Sequence, residues 1–236
     1  LGAQVSVLPR LFDVVGSSVE MDDLHGTTLL GLRREELSRS SRLFKRASDV
    51  AGALATAVIL APVWLVAAVA IRATSPGPIL FRQQRMGRDG RRFTMLKFRT
   101  MVDGADAQRD ALRELSEPDA LFKISDDPRI TSVGRFLRRA SIDELPQLVN
   151  VLKGDMSLVG PRPLPLDDDS LVKGWQRRRL LMNPGITGLW QIFGSSRIPL
   201  DEMVKIDYLY GTNWSLWLDV KILLRTVPHV VGRRGL

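Results

Sequence analysis

Apolar residues are unevenly distributed along this chain. From Val50 to Ile71 the sequence reads VAGALATAVILAPVWLVAAVAI, without one charged side chain. About 20 such residues, wound as a helix, match the hydrocarbon thickness of a bilayer. Gly52 and Thr56 do not make the polar stripe that a helix on a soluble core carries, so the run is expected in a membrane. Pro62 lies near its middle; it cannot donate to the carbonyl of Val58, and its ring pushes Ala61 away from the α region. A bend is expected there, as the turn of a re-entrant hairpin or as the kink of a spanning helix, which membranes tolerate. After the breaker cluster SPGP (75–78), ILFRQQRMGRDGRRFTMLKFRTM (79–101) reads as a β-hairpin. Its turn falls near Arg88-Asp89-Gly90, and its apolar positions are Phe81, Phe93, Leu96 and Phe98.

The remaining pattern is helical in pieces. Residues 103–117 form a polar helix, and Arg135 to Leu152 holds two helical segments joined at Ser141. The proline-rich GPRPLPL (160–166) precedes a basic helix (173–182) and a PGITG turn (184–188). Helices follow from about Pro199 to Tyr210 and from Ser215 to Val231. Ahead of the apolar run, residues 1–41 read as an appendage, with a short strand VSVLP (5–9) and a polar helix start at 34–42. The expected architecture is mainly helical α+β. A membrane helix hairpin at 42–75 carries a catalytic domain at 76–236, which has a small β-hairpin and amphipathic interfacial helices.

Charge sharpens the membrane reading. The chain has 34 Lys and Arg against 26 Asp and Glu, a net charge of +8, so an anionic partner is expected. Basic residues crowd both flanks of the apolar run: Arg39, Arg42, Lys45 and Arg46 before it, and Arg72, Arg82, Arg85, Arg88, Arg91, Arg92, Lys97 and Arg99 after it. The tendency of basic flanks to stay on the cytoplasmic face holds for both ends at once only if the segment enters and turns back. Cysteines are absent, which excludes disulfides, thiolate metal sites and thiol nucleophiles; His25 and His229 show no partner chemistry. Trp190, Trp214 and Trp217 suit interfacial anchoring or core packing. No recognition-helix pattern or stacking platform supports nucleic-acid binding. A non-catalytic basic scaffold for anionic lipid is the rival from another class, and charge alone supports it.

The segment SIDELPQL (141–148) carries the most chemistry. Ser141 and Glu144 are spaced as a capping box, which places Asp143 in a first helical turn where free N–H groups favour an anion. Arg138 and Arg139 stand just upstream and Lys153 downstream, and Arg162 is held between two prolines with little backbone freedom to lose. Guanidinium groups match phosphate oxygens, and paired carboxylates among arginines suit Mg²⁺ shared with a pyrophosphate. Asp167, Asp168 and Asp169 read as solvated loop acids.

The ordered blocks SPGP, FRQQRMGRDGRRF, KFRTM, DPRITSVGRFLRRASIDELPQLVNVLKGDMSLVGPRP and PGITGLWQI resemble the bacterial sugar transferase family over about residues 42–236. These are the monotopic polyprenyl-phosphate phosphoglycosyl transferases. The ending, DEMVKIDYLYGTNWSLWLDVKILLRTV, is similar to the undecaprenyl-phosphate glucose or galactose phosphotransferases of exopolysaccharide and O-antigen synthesis. The resemblance implies an enzyme at the cytoplasmic face of the bacterial inner membrane. It would move a hexose-1-phosphate from a UDP-sugar to undecaprenyl phosphate, with Mg²⁺ and release of UMP. Asp143 would be the nucleophile and Glu144 a metal ligand or acid/base, a role that competes with helix capping. Arg138 and Arg162 would bind phosphate, with Arg139, Lys97 and Arg99 as weaker candidates. Membrane lipid is a further partner, and a homo-oligomer is open to such a chain. Long members carry an N-terminal membrane region, and residues 1–41 resemble its tail, in keeping with the opening Leu1. Many members have Ser-Pro at the bend, whereas this chain has Ala61-Pro62 and no hydroxyl for the freed backbone groups.

Overall fold

The computed structural model describes residues 19–24, 27–32, 37–105, 127–192 and 199–231. The expected strand at 5–9 and most of the helix expected at 103–117 lie outside them. Strands β1 (Val19–Leu24) and β2 (Thr27–Leu32) pair antiparallel as a hairpin within the expected appendage.

Helix α1 (Arg39–Ile59) begins at Ser38, whose hydroxyl accepts the Ser41 N–H at 3.1 Å. Leu60 ends it and at the same time precedes α2 (Ala61–Thr74). The two axes are bent by 62°. Pro62 falls in the first turn of α2, where its missing N–H would have had no intrahelical acceptor. What the structure shows of the expected hairpin is this bend; no single helix among the described residues is long and apolar enough to cross a membrane, although the pair together is. Leu54, Val58, Ile59, Leu65, Val66 and Val69 are exposed on the two helices.

Strands β3 (Leu80–Met86) and β4 (Arg92–Phe98) form the predicted hairpin, in the register Leu80 opposite Phe98 to Met86 opposite Arg92. At its turn Asp89 and Gly90 have φ of 55° and 72°, a region these two residue types enter readily. Phe93 and Met95 are buried with Ala53 of α1 and with Leu148, Val151 and Met156, which follow in the chain. Phe98 joins Ala67, Ile71 and Leu137 in a second cluster against α2.

Next comes α3 (Ser132–Arg139), capped by Thr131. Gly134 lets α3 press on the strand end; a Cβ there would stand 2.0 Å from the Thr100 carbonyl oxygen. The second helical segment expected after Ser141 is a 3₁₀ turn (Ile142–Glu144) followed by α4 (Gln147–Lys153). Asn150, 1% exposed, uses its amide as a strand would: Oδ1 accepts the Leu96 N–H at 3.0 Å and Nδ2 donates to the Thr94 carbonyl at 2.8 Å. That pair fixes α4 along β4.

Strand β5 (Ser157–Val159) pairs parallel with β6 (Gly185–Thr187), so the expected PGITG turn is in part a strand. Between them lie α5 (Leu166–Asp169) and a 3₁₀ stretch (Gly174–Leu181) in place of the expected basic α-helix. The acids of α5 are not all solvated. Asp169 is buried and meets Arg177 at 3.3 Å, because the turn tucks its last residue inward. The chain ends in α6 (Leu189–Ile192), α7 (Leu200–Thr212) and α8 (Leu216–Val231).

Two buried ion pairs hold this part together. Arg179 donates to Asp207 of α7 at 2.8 and 3.1 Å and also to the Arg162 carbonyl. Lys45 of α1 donates to Asp219 of α8 at 2.7 Å and to the Val159 carbonyl at 3.0 Å. The hydroxyl of Tyr210 and the indole of Trp214 also donate to Asp219, while Asp49 accepts the Leu158 N–H. Arg46 caps the last carbonyls of α4, at Val151 and Leu152. Lys45 and Arg46, counted in the sequence among the basic flank of the apolar run, are therefore committed to internal contacts. Lys45→Met should cost about 3 kcal/mol, because it leaves a buried carboxylate without its cation. Thermal unfolding in detergent should then move down by roughly 6–12 °C; an unchanged transition would deny the pair any net stabilising role.

Candidate active site

The turn that carries Asp143 is not built as the sequence suggested. Ser141 adopts φ 54° and ψ 19°, a left-handed conformation unusual for a residue with a Cβ, and its side chain caps nothing. The capping box with Glu144 does not form, because a Ser141 in this conformation is not the extended residue a box requires. The left-handed step instead ends α3, whose Arg138 carbonyl accepts the Ser141 N–H, and swings the next three residues into the tight turn. Asp143 also lies ahead of α4, which starts at Gln147 and is only seven residues long. Its electrostatic surroundings therefore come from side chains rather than from a helix dipole.

Those side chains converge. Asp143, Glu144, Lys97, Arg138 and Arg162 all line one open cavity of about 2260 Å³. Lys97 of β4 donates to Glu144 Oε1 at 2.6 Å and so stands beside the carboxyl pair. Arg138 reaches back from the last turn of α3 and is fixed by its Nε bond to the Thr100 hydroxyl at 2.8 Å. Arg162 extends from the loop between the two prolines, with its guanidinium carbon 4.3 Å from the centre of the Trp190 ring. Trp190 is 7% exposed and acts as a buried platform, not an interfacial anchor. Trp214 is engaged with Asp219, so of the three tryptophans only Trp217 has the exposure, 61%, of an anchor. Arg139 is exposed and is not part of the cavity wall; it points away because Arg138, one residue earlier on the helix, already faces in. Arg99 is buried and does line the cavity, beside the end of α2.

The two adjacent carboxyls are driven apart in acidity. Asp143 is raised to about 6, chiefly by burial, with Glu144 adding repulsion and Lys97 and Arg138 opposing. Burial acts on Glu144 as well, but the Lys97 ammonium, by charge and hydrogen bond, overcomes it with help from Arg162 and Arg85 and holds Glu144 below the ordinary range. Burial lowers the two arginines, Arg138 and Arg162, against the pull of nearby carboxylates. They remain cations at neutral pH. The site thus combines a fixed carboxylate, a carboxyl poised near neutrality and three cations.

Two contributors escaped the sequence reading. Arg85 of β3 donates to the Pro163 carbonyl at 3.0 Å and, with the Met86 N–H bonded to the Leu164 carbonyl, ties the Arg162 loop to the hairpin. Asn150 sets β4 against α4, as described above, and thereby brings Lys97 to Glu144. Its one signal in the sequence is a polar residue inside the apolar LVNVL. Among the described residues no group of three or more acidic or histidine side chains converges as a metal site. A divalent cation fits here only in the manner usual for Mg²⁺, with one or two carboxylates and the rest of its ligands from phosphate and water.

Comparison with known proteins gives the family of the chain. The chain matches the bacterial sugar transferase family over residues 40–233. It is 42% identical over 233 residues to the galactosyl transferase CpsE of Streptococcus agalactiae, covering 98% of this chain and 51% of that protein. It is 36% identical over 234 residues to the UDP-glucose:undecaprenyl-phosphate glucose-1-phosphate transferase of Escherichia coli, with coverages of 94% and 48%. A shorter relative, the exopolysaccharide production protein ExoY of Sinorhizobium fredii, is 39% identical over 199 residues, covering 81% of this chain and 87% of that protein. The chain spans about half the length of the longer relatives. It belongs to the bacterial sugar transferase family.

Proposed function

We propose that this chain is the catalytic unit of a phosphoglycosyl transferase that moves a hexose-1-phosphate from a UDP-sugar to undecaprenyl phosphate and so initiates a surface polysaccharide. The observation that carries the reading is the cavity. One wall presents Asp143 among Lys97, Arg138 and Arg162, while another is formed by apolar side chains of the bent helix pair and of α8, such as Trp64, Leu65 and Leu223. A diphosphate needs the first wall and a polyprenyl chain the second.

In the first half-reaction a carboxylate oxygen of Asp143 attacks the β-phosphorus of the nucleotide sugar. The bond from that phosphorus to the oxygen bridging to the α-phosphate breaks, and UMP leaves with the bridging oxygen. In the second, a phosphate oxygen of undecaprenyl phosphate attacks the same phosphorus and restores the free carboxylate. Arg138 and Arg162 hold the diphosphate oxygens, supplying fixed positive charge where charge accumulates. Lys97 keeps Glu144 ionised and limits the rise that burial imposes on the pKa of Asp143. Asp143 and Glu144 would hold Mg²⁺, which when bound would help to neutralise the phosphates.

The membrane attachment belongs to the same proposal. The bent pair α1–α2 would enter the cytoplasmic leaflet of the inner membrane and return. The exposed Phe136 of α3 and the exposed Trp217, Leu224 and Val227 of α8 would lie against it.

Asp143→Asn should abolish UMP release from UDP-glucose and UDP-galactose in the presence of Mg²⁺ and undecaprenyl phosphate, with the protein still folded and in the membrane fraction. Turnover at the wild-type rate would remove Asp143 from the reaction. Because the nucleophile must be ionised, the wild-type rate should rise with pH through about 6 and be roughly tenfold lower at pH 5 than at pH 7. In Lys97→Met the opposing cation is gone, so the acid limb should move to higher pH; a limb that stays in place would assign it to another group. For topology, Leu43→Cys and Thr74→Cys in this cysteine-free chain should both react with a membrane-impermeant thiol reagent from one side. Labelling from opposite sides would mean a crossing helix.

A further inference from the structure

Arg99 is only 6% exposed, yet two of its three guanidinium nitrogens, Nε and Nη1, are buried without a hydrogen-bond partner. Only Nη2 is used, donating at 2.8 Å to the carbonyl of Ser75, the residue that ends α2. No ion pair joins Arg99 to a carboxylate among the described residues; Asp103 is the acid nearest this corner, beside Gly77. Helix capping accounts for one donor and leaves the other two unexplained, and buried polar groups rarely stay unpaired.

The surroundings are shaped to keep that guanidinium in place. Gly77 has φ +106°, and a Cβ there would stand 2.1 Å from Nη1, so the backbone comes close only because the side chain is absent. The Arg99 N–H is bonded to the Ile79 carbonyl, which extends the β3–β4 pairing toward the foot of α2. Lys97 lies two residues earlier on the same extended chain, roughly 7 Å back, and reaches Glu144. Arg99 therefore occupies the cavity wall on the side of the site nearest the apolar helix pair. Trp64 of α2 lines the same cavity, and its indole N–H is also buried without an acceptor.

We infer that the unpaired guanidinium N–H groups of Arg99 receive the phosphate monoester of the lipid acceptor, separately from the diphosphate of the nucleotide sugar held by Arg138 and Arg162. The inference rests on the phosphoglycosyl transferase reading. A guanidinium N–H left without an acceptor suits a phosphate oxygen. The place of these groups at the end of a lipid-facing helix suits a phosphate whose tail is in the bilayer. An acceptor held there would approach the phosphorylated Asp143 from the membrane side and bring its oxygen to the apical position on phosphorus that UMP has vacated.

The two half-reactions separate this site from the donor site. The full chain in phospholipid nanodiscs is mixed with UDP-sugar and Mg²⁺ without acceptor, and the stoichiometric burst of UMP is measured. Turnover is then followed while undecaprenyl phosphate is varied. Arg99→Gln, and Arg99→Lys as the milder change, should raise the KM for undecaprenyl phosphate at least tenfold and leave the burst amplitude and the KM for the UDP-sugar within about twofold. Inorganic phosphate should compete weakly with the acceptor in wild type and less in either variant; competition against the UDP-sugar instead would assign Arg99 to a free-phosphate or donor subsite and overturn the inference. An unchanged acceptor KM overturns it, as does loss of the burst in both variants, which would make Arg99 a structural residue. Failure of wild type to release UMP from any UDP-sugar would overturn the reaction itself.

Discussion

The site depends on the way one amide, Asn150, substitutes for a strand. A helix cannot pair with a sheet edge through its own backbone, whose N–H and C=O groups are already used. Asn150 offers an acceptor and a donor on a single planar group and completes the open edge of β4 at Leu96 and Thr94. Buried at 1% exposure, it cannot trade these bonds for water. The contact fixes both the distance and the register between α4 and β4. Lys97 is one residue beyond Leu96 on the strand, and Glu144 is six residues before Asn150, so the meeting of Lys97 and Glu144 follows from the clamp. The divergent acidity of the two neighbouring carboxyls is a downstream effect of the same geometry.

Much of the fold could be read from the chain. The β3–β4 hairpin follows from Asp89-Gly90 between alternating apolar residues, and the bend near Pro62 from a proline inside an apolar run. The ends of α7 and α8 fall close to their expected bounds. Where the reading failed, the cause is nearly always a non-local contact. Ser141 and Glu144 have the spacing of a capping box, but Glu144 finds a better partner in Lys97, 47 residues away, and Ser141 turns left-handed. β5 and β6 are three residues each, and β6 opens on a glycine, so periodicity had little to detect. The roles of Trp190 and Arg162 emerge only as a pair, because neither residue type announces a stack that spans 28 positions in sequence. Asp143, Glu144, Arg138 and Arg162 were legible as candidates through the resemblance of their motifs. That Arg139 lies outside and Lys97 inside required the positions of α3 and β4.

The cavity joins two chemical environments that rarely share a wall. Charged groups gain strength where water is scarce, but isolated charges are costly there. The chain meets this by giving three of the cavity's cations defined partners: Arg138 has the Thr100 hydroxyl, Lys97 has Glu144, and Arg162 has the Trp190 ring. Each partner leaves hydrogen-bonding or electrostatic capacity for a visiting anion. Apolar side chains of α2 and α8 form the other side, so a molecule with a polar head and a long hydrocarbon tail encounters a matching gradient.

The link from Lys45 to Asp219 spans 174 positions in the sequence. On the ribosome α1 is complete before α8 exists, so until then the Lys45 ammonium has water in place of its distant carboxylate. Formation of α8 withdraws that ammonium from water into a dry knot with Asp219, Tyr210 and Trp214. The contact that secures α1 is thus made late in synthesis, by a segment far downstream.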